Sequence, residues 1–287
     1  MSMFFYRALD KAWPRLRRYL PFNETGDRLY HRLNFMRKHR RAPNGAMLWN
    51  DVWFRLKTSD EILDPLRVFV SDKEHVKQYV KAKLGDEYNV PTIAVLRSPQ
   101  EVDAFDFPDD CCIKPTQASG QVILRKNGAA VDRERIKRWF SINYYFNGRE
   151  WNYRELEPKV IVEPLIFGET NVEDFKIFCF NGDPRLIQVD LDRHVNHTRK
   201  FFDVGWNEQD FSIIYPRSDA HFPRPASLET MLAAARSLSA QFSFVRIDLY
   251  SDGNQVLVGE ITNCSENAGG FFVPRSAERQ ASELMFS

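Results

Sequence analysis

The sequence predicts an α+β protein, and three observations carry that reading. Apolar residues recur at helical spacing up to Leu84 and again around residue 230. Two strongly apolar stretches, FKIFCFNGDPRLIQVDLDR and VRIDLYSDGNQVLVGEIT, each fold back on a turn-forming core, Asn181-Gly182 in one and Asp252-Gly253-Asn254 in the other. Hairpins therefore alternate with helices, which predicts antiparallel sheet rather than a doubly wound parallel one.

At 287 residues the chain is long enough for one large domain or two ordinary ones. A formal charge of +1 gives no bulk field for nucleic acid, so none is expected as a partner. The four cysteines, Cys111, Cys112, Cys179 and Cys264, lack the spacing of a disulfide framework or a paired zinc site. No apolar run approaches the roughly 20 residues of a spanning helix, and the first residues lack a secretory signal pattern. A cytoplasmic protein is expected.

The first 45 residues read as a basic helical extension. Arg7, Lys11, Arg15, Arg17, Arg18, Arg28, Arg32, Arg37, Lys38, Arg40 and Arg41 face only Asp10, Glu24 and Asp27. Its apolar residues, from Phe4 to Leu20, either pack on the protein's own body or meet a membrane surface or an assembly partner. Residues 46–98 continue helical. Ser71-Asp72-Lys73-Glu74 fits a capping box ahead of VKQYVKAKL, and Gly85 ends that helix. Strands follow at VPTIAVL, CCIKP and VILRK, a helix at 133–140, and a buried strand at KVIVEPLI. A helix with Leu228, Met231, Leu232, Ala235 and Leu238 on one face precedes the last hairpin.

That hairpin places charge where core would be expected. With a three-residue loop at 252–254, Asp248 faces Val258, and Arg246, Asp248, Val258, Glu260 and Thr262 share one face. Two carboxylates one diagonal step apart repel. A divalent cation would relieve the conflict, and so would solvation or a pairing of Asp248 with Arg246. In CCIKPTQASGQVILRK, Lys114 ends one strand and Thr116, Gln117, Ser119 and Gly120 form a small-residue loop, suited to polyphosphate or simply to a tight turn. Glu163-Pro164 marks a strand end, where pairing stops. Lys176 and Arg193 flank the Asn181-Gly182 turn, and Asp190-x-Asp192 has the spacing that metal-dependent glycosyltransferases use. Six histidines include His194 and His197, without a third partner for zinc.

Taken in order, Asp72-Lys73, Ile113-Lys114, the TQASG loop, Val162-Glu163, Phe175-Lys176, Asp192-Arg193, Arg246-x-Asp248-x-Tyr250 and Gly259-Glu260-x-Thr262 resemble the ATP-grasp superfamily. More narrowly, FKIFCFNGDPRLIQVDLDRHVNHTRKFFDVGW and FVRIDLY resemble the TupA-like ATP-grasp family, associated with teichuronopeptide and other surface-polysaccharide biosynthesis, over roughly residues 48–274. The resemblance implies an ATP-grasp fold of two α+β subdomains, a lid at 99–165 and a catalytic core at 166–287, gripping ATP with Mg²⁺. It gives Lys114 and Lys176 to phosphate and adenine-side contacts, the loop with Thr116, Gln117, Ser119 and Gly120 to the β- and γ-phosphates, and Glu163 to the adenine hinge. Asp248 and Glu260 go to metal, with Thr262 where such enzymes commonly carry Asn, and Arg193 and Lys176 to the transferred phosphoryl group.

The implied reaction is carboxylate–amine ligation through an acyl phosphate, joining a uronic acid of a polysaccharide or its precursor to an amino acid or other amine. His197, Arg199 and Trp206 are the expected acceptor contacts. A glycosyltransferase using Asp190 and Asp192, a kinase on the same scaffold, and a non-catalytic binding module are the rival readings.

Overall fold

The computed structural model describes residues 3–170, 172–191 and 197–287. Four helices lead the chain: α1 (Met3–Tyr19), α2 (Glu24–His39), α3 (Trp49–Thr58) and α4 (Pro65–Ser71), followed by α5 (His75–Leu84). The first sheet holds β1 (Ala94–Leu96), β2 (Cys111–Pro115), β3 (Ile123–Arg125) and β4 (Val160–Glu163), in the order β1-β4-β2-β3, all antiparallel. The helices α6 (Pro99–Ala104), α7 (Arg133–Trp139) and α8 (Tyr145–Gly148) lie between its strands in sequence. β1 belongs to this sheet, although the sequence groups residues 94–96 with the preceding helical region.

The second sheet is built from β5 (Asp174–Phe180), β6 (Asp183–Leu191), β7 (Thr198–Asp203), β9 (Phe244–Ser251) and β10 (Val256–Thr262), in the order β10-β9-β5-β6-β7. β8 (Ser212–Ile213) and β11 (Phe272–Val273) pair separately, and α9 (Leu228–Ser239) and α10 (Glu278–Phe286) complete the fold. The β5–β6 turn is a two-residue loop with Asn181 and Gly182 both at positive φ, as a twist-matched tight hairpin requires.

The two faces of this second sheet differ. One carries Phe175, Ile177, Val189, Val245, Ile247, Leu249, Val258 and Ile261 and is packed by Leu228, Met231, Ala235 and Leu238 of α9. Each large side chain buried there contributes about 1.5–3 kcal/mol. The other face is apolar only at one end, where Phe178, Leu186, Phe201 and Phe244 meet Trp49 and Trp53 of α3. Its remainder is polar, because the same strands place Lys176, Gln188, Asp190, Arg246 and Asp248 on alternate positions.

The N-terminal helices are held by a buried network. Asp27 accepts hydrogen bonds from Arg149 (2.9 Å), the Tyr145 hydroxyl (2.6 Å) and Trp151 Nε1 (2.9 Å), and Arg149 also donates to the carbonyls of Pro21 and Leu20. His31 Nε2 donates to the Arg149 carbonyl at 2.9 Å. The α5 cap differs from the expected box. Ser71 is still in α4 and donates to Arg67, so Asp72 accepts from the amides of Glu74 and His75 instead. Gly85 does end α5, at φ 109°. No helix among the described residues is long and apolar enough to cross a membrane.

Candidate active site

The last hairpin departs from its expected register. Its loop spans four residues, so Val256 faces Ser251, Leu257 faces Tyr250 and Val258 faces Leu249. A bulge at Gly259 then shifts the pairing, and Glu260 lands directly opposite Asp248. The expected diagonal becomes a cross-strand pair, and Val258 joins the core face rather than the polar one. Gly259 has a local reason: a Cβ there would come within 2.6 Å of the Tyr250 ring.

A row of side chains consequently runs across the sheet, Glu260 beside Asp248, Asp248 beside Lys176, and Lys176 beside Gln188. Arg246 grips Asp248 with two hydrogen bonds (2.6 and 2.7 Å) and reaches Glu260 at 3.5 Å and Thr262 Oγ1 at 3.1 Å. Thr262 in turn donates to Glu260 at 3.1 Å. Lys176 pairs with Asp174 and lies 3.3 Å from Asp248. Here the repulsion between the two carboxylates is offset by Arg246, one of the three remedies open from the sequence. Burial raises the proton affinity of Glu260, but Lys73 and Arg246 outweigh it and hold its carboxyl below the usual range.

Opposite this row stands the first sheet. Lys114 on β2 projects toward the same cleft, backed by Glu163, which holds Lys114 and Lys77 at 2.6 Å each. Burial opposes its charge, yet Glu163 prevails and pushes the Lys114 ammonium up to about 12. Lys73, just ahead of α5, donates to the Ala118 carbonyl at 2.6 Å and ties down the 116–120 loop. Ser119 and Gly120 of that loop line the cleft, and Gly120 sits at φ 76° with open space where a Cβ would be. The cleft measures about 470 Å³ and is bordered by Lys73, Lys114, Lys176, Arg246, Asp248 and Glu260 together.

Three sequence expectations change in detail. Thr116 and Gln117 are buried and turned inward: the Thr116 hydroxyl donates to Asp72, and the Gln117 amide donates to the carbonyls of Trp139 and Ile142. Their side chains brace the loop and do not border the cleft. Glu163 is only 2 % exposed and stands behind Lys114, while Leu165 and Ile166 form the nearby wall. Trp206 stacks on Phe202 at 4.1 Å, with Phe175 and Phe222 nearby, on the core side of the sheet. An apolar partner has claimed it, and it does not border the cleft.

Arg199 and His197 do lie on the polar side, beyond Gln188, but both are engaged. Arg199 donates to Asp190 at 2.5 Å and to the Ile213 carbonyl at 2.8 Å; His197 stacks on Tyr215 with ring centroids 3.6 Å apart. Asp192, Arg193 and His194 fall outside the described residues. Lys73, Asp174 and Arg246 are cleft residues to which no site role is given from the sequence. Lys73 comes from a helix start far away in the chain; Arg246 could have been found, since it shares Asp248's strand face two positions away.

Asp72, Glu74 and His75 also converge, with candidate ligand atoms within 4.8 Å of one another. The Lys159 ammonium already lies in that group, 3.3 Å from Asp72 and in contact with Glu74 and His75, and Arg97 pairs with Glu74 at 2.6 Å, so both carboxylates have counter-charges without a metal.

Two antiparallel sheets closing on a cleft, with lysines from both and a pair of carboxylates at its floor, define an ATP-grasp protein. The chain belongs to the TupA-like ATP-grasp family, whose model matches residues 53–285. No curated protein matches as a relative. Among solved structures it is similar to D-alanine–D-alanine ligase from Bacillus anthracis, at 18% identity and TM-score 0.41 over 76% of this chain and 64% of that one. It is also similar to an L-amino acid ligase from Bacillus licheniformis, at 13% identity and TM-score 0.43 over 76% and 49%. A further structure of D-alanine–D-alanine ligase from Bacillus anthracis, complexed with ATP, is matched at 17% identity and TM-score 0.39 over 75% of this chain, which spans only 62% of that one.

ATP and Mg²⁺ are the cofactors that family and fold imply, and the residues present fit them. The cleft has room for a nucleotide, its lysines suit a polyphosphate, and Asp248 and Glu260 offer the hard oxygen donors Mg²⁺ takes together with phosphate.

Proposed function

We propose that this protein is an ATP-dependent carboxylate–amine ligase, joining a uronic acid of a surface polysaccharide or its precursor to an amino acid or other amine. The observation that carries the reading is the meeting of Asp248 and Glu260 with Lys73, Lys114 and Lys176 around one cleft between the two sheets. ATP with Mg²⁺ supplies an activated phosphoryl group and a counter-charge for it, which is what a carboxylate needs before an amine can displace its oxygen.

In the first step a carboxylate oxygen forms a bond to the γ-phosphorus and the bond to ADP breaks. In the second the amine nitrogen bonds to the acyl carbon, phosphate departs and the amine loses a proton. The chain's own part is positioning and electrostatics. Lys114, kept charged by Glu163, and Lys176, oriented by Asp174, face the phosphates. Asp248 and Glu260 would hold the metal, with Thr262 steadying Glu260 by its hydrogen bond. Arg246 borders the cleft but is spent on Asp248 and Ser265, so its part would be to hold Asp248 in place; the group in transfer is assigned by the sequence to Arg193. Ser119 and the backbone of the 116–120 loop line the cleft and would contact the phosphates. Arg199 is spent on Asp190 and the Ile213 carbonyl, so it shapes the acceptor side by holding Asp190 in place.

The test is ADP release from a matrix of uronic acids and amino acids, with the product analysed by mass. Amine-dependent ADP release with an amide product supports ligation. A phosphorylated product that accumulates without amine assigns a kinase, and release of UDP from a UDP-sugar assigns the glycosyltransferase reading.

A further inference from the structure

The first helix has two opposed faces. Tyr6, Leu9 and Trp13 are buried, with Leu16 half-buried, and they pack against Leu33 and Met36 of α2 and against Tyr30. That settles where the apolar stripe of α1 goes: onto the protein's own body. Phe4, Arg7, Lys11, Arg15, Arg18 and Tyr19 follow one another at intervals of three or four along the opposite side, or next to such a position, and all are exposed. Phe4 is 81% and Tyr19 83% exposed, one at each end of a row about 22 Å long. The helix's one acid, Asp10, is turned aside and held by Arg40 at 2.6 Å and Arg37 at 3.7 Å. Among the described residues no carboxylate pairs with Arg7, Lys11, Arg15 or Arg18.

Four cations without counter-charges, bounded by exposed aromatic rings, make a surface with two complementary requirements: anions spaced along a plane, and an apolar layer shallow enough to take a ring at each end. We propose that this face of α1 docks the protein on an anionic lipid surface, with the basic row against the headgroups and Phe4 and Tyr19 at the headgroup boundary. A free acidic polysaccharide satisfies the charges but offers nothing to Phe4, whose ring has no hydrogen-bonding group. The proposal stands on α1 alone and is independent of the ligase reading.

The experiment is co-sedimentation of the full chain with vesicles of equal parts phosphatidylglycerol and phosphatidylcholine, and with vesicles of phosphatidylcholine alone. Binding to the anionic vesicles only, weakened by added salt, is expected. The paired change Arg15→Glu with Arg18→Glu should reduce partitioning by roughly tenfold or more, and Phe4→Ser by several-fold, with the unfolding midpoint unchanged because these side chains are exposed. Equal binding to both vesicle types, or none to either, overturns the proposal without need of any variant. Retention by an immobilised polyuronate with no vesicle binding also overturns it and reassigns the face to polyanions. Neither result bears on ADP release.

Discussion

Two charge networks in this molecule use the same residue types to different ends. Around Asp27, every strong donor has its acceptor: Arg149, Tyr145 and Trp151 converge on one carboxylate that is 1% exposed. Around Asp248, Lys73, Lys114, Lys176 and Arg246 border open volume and share a few carboxylates among them. Closed pairing without a cavity is what a structural joint needs, whereas cations gathered on a void are half of an interaction whose other half is a ligand.

The sharpest way to break the comparison is Asp27→Ala. It strands the buried Arg149 guanidinium and should cost about 3–5 kcal/mol of stability by denaturant unfolding. Whatever remains folded at low temperature should still be stabilised by ADP with Mg²⁺. Asp248→Asn should do the reverse, lowering ATP turnover on the order of 10²-fold or more and abolishing stabilisation by ADP with Mg²⁺, with a smaller loss of nucleotide-free stability than Asp27→Ala because Asp174 and Glu260 still face Lys176 and Arg246. If both variants lose stability equally and both lose nucleotide response, the two networks are not separable.

A pH titration sharpens the difference. His31 is lowered to about 2, first by burial and then by the Lys57 charge, and its Nε2 proton is committed to the Arg149 carbonyl. A folded pKa below the unfolded value near 6.5 means stability is fully present above about pH 6.5 and drains away as pH falls toward 2. His31→Gln should flatten that decline by about 1.4 kcal/mol per pH unit, seen by chemical unfolding at pH 7, 6 and 5. The smallest effect expected is for Gly259→Ala. Its methyl meets the Tyr250 ring and should cost about 1 kcal/mol, while disturbing Glu260 enough to weaken Mg²⁺-dependent nucleotide stabilisation several-fold.

Legibility in the sequence followed the range of each signal. Asn181-Gly182 and the alternation on either side made the β5–β6 hairpin readable, because turn type and period two are local. The last hairpin was readable as a hairpin but not in register: the Gly259 bulge offsets the strands by one residue, and alternation counted across an unseen bulge assigns Val258 to the wrong face. Thr116 and Gln117 looked like phosphate contacts because small and polar residues are shared by anion loops and by braced turns. What separated them was Asp72 and the Trp139 carbonyl, both distant in sequence. Lys73 was hidden for the same reason. Trp206 misled through type alone; aromatic rings serve cores as readily as sugars, and Phe202 decided the matter.

The Asp27 joint bears on how this chain can be cut. Family resemblance starts at residue 53, which invites removal of everything upstream as an appendage. A protein trimmed there would keep Arg149, Tyr145 and Trp151 but lose the carboxylate that all three donate to, and with it the carbonyls of Leu20 and Pro21. The first fifty residues thus behave as a keystone inserted from the side, and shortened versions are better begun by deleting at the tip of α1 than at the border homology suggests.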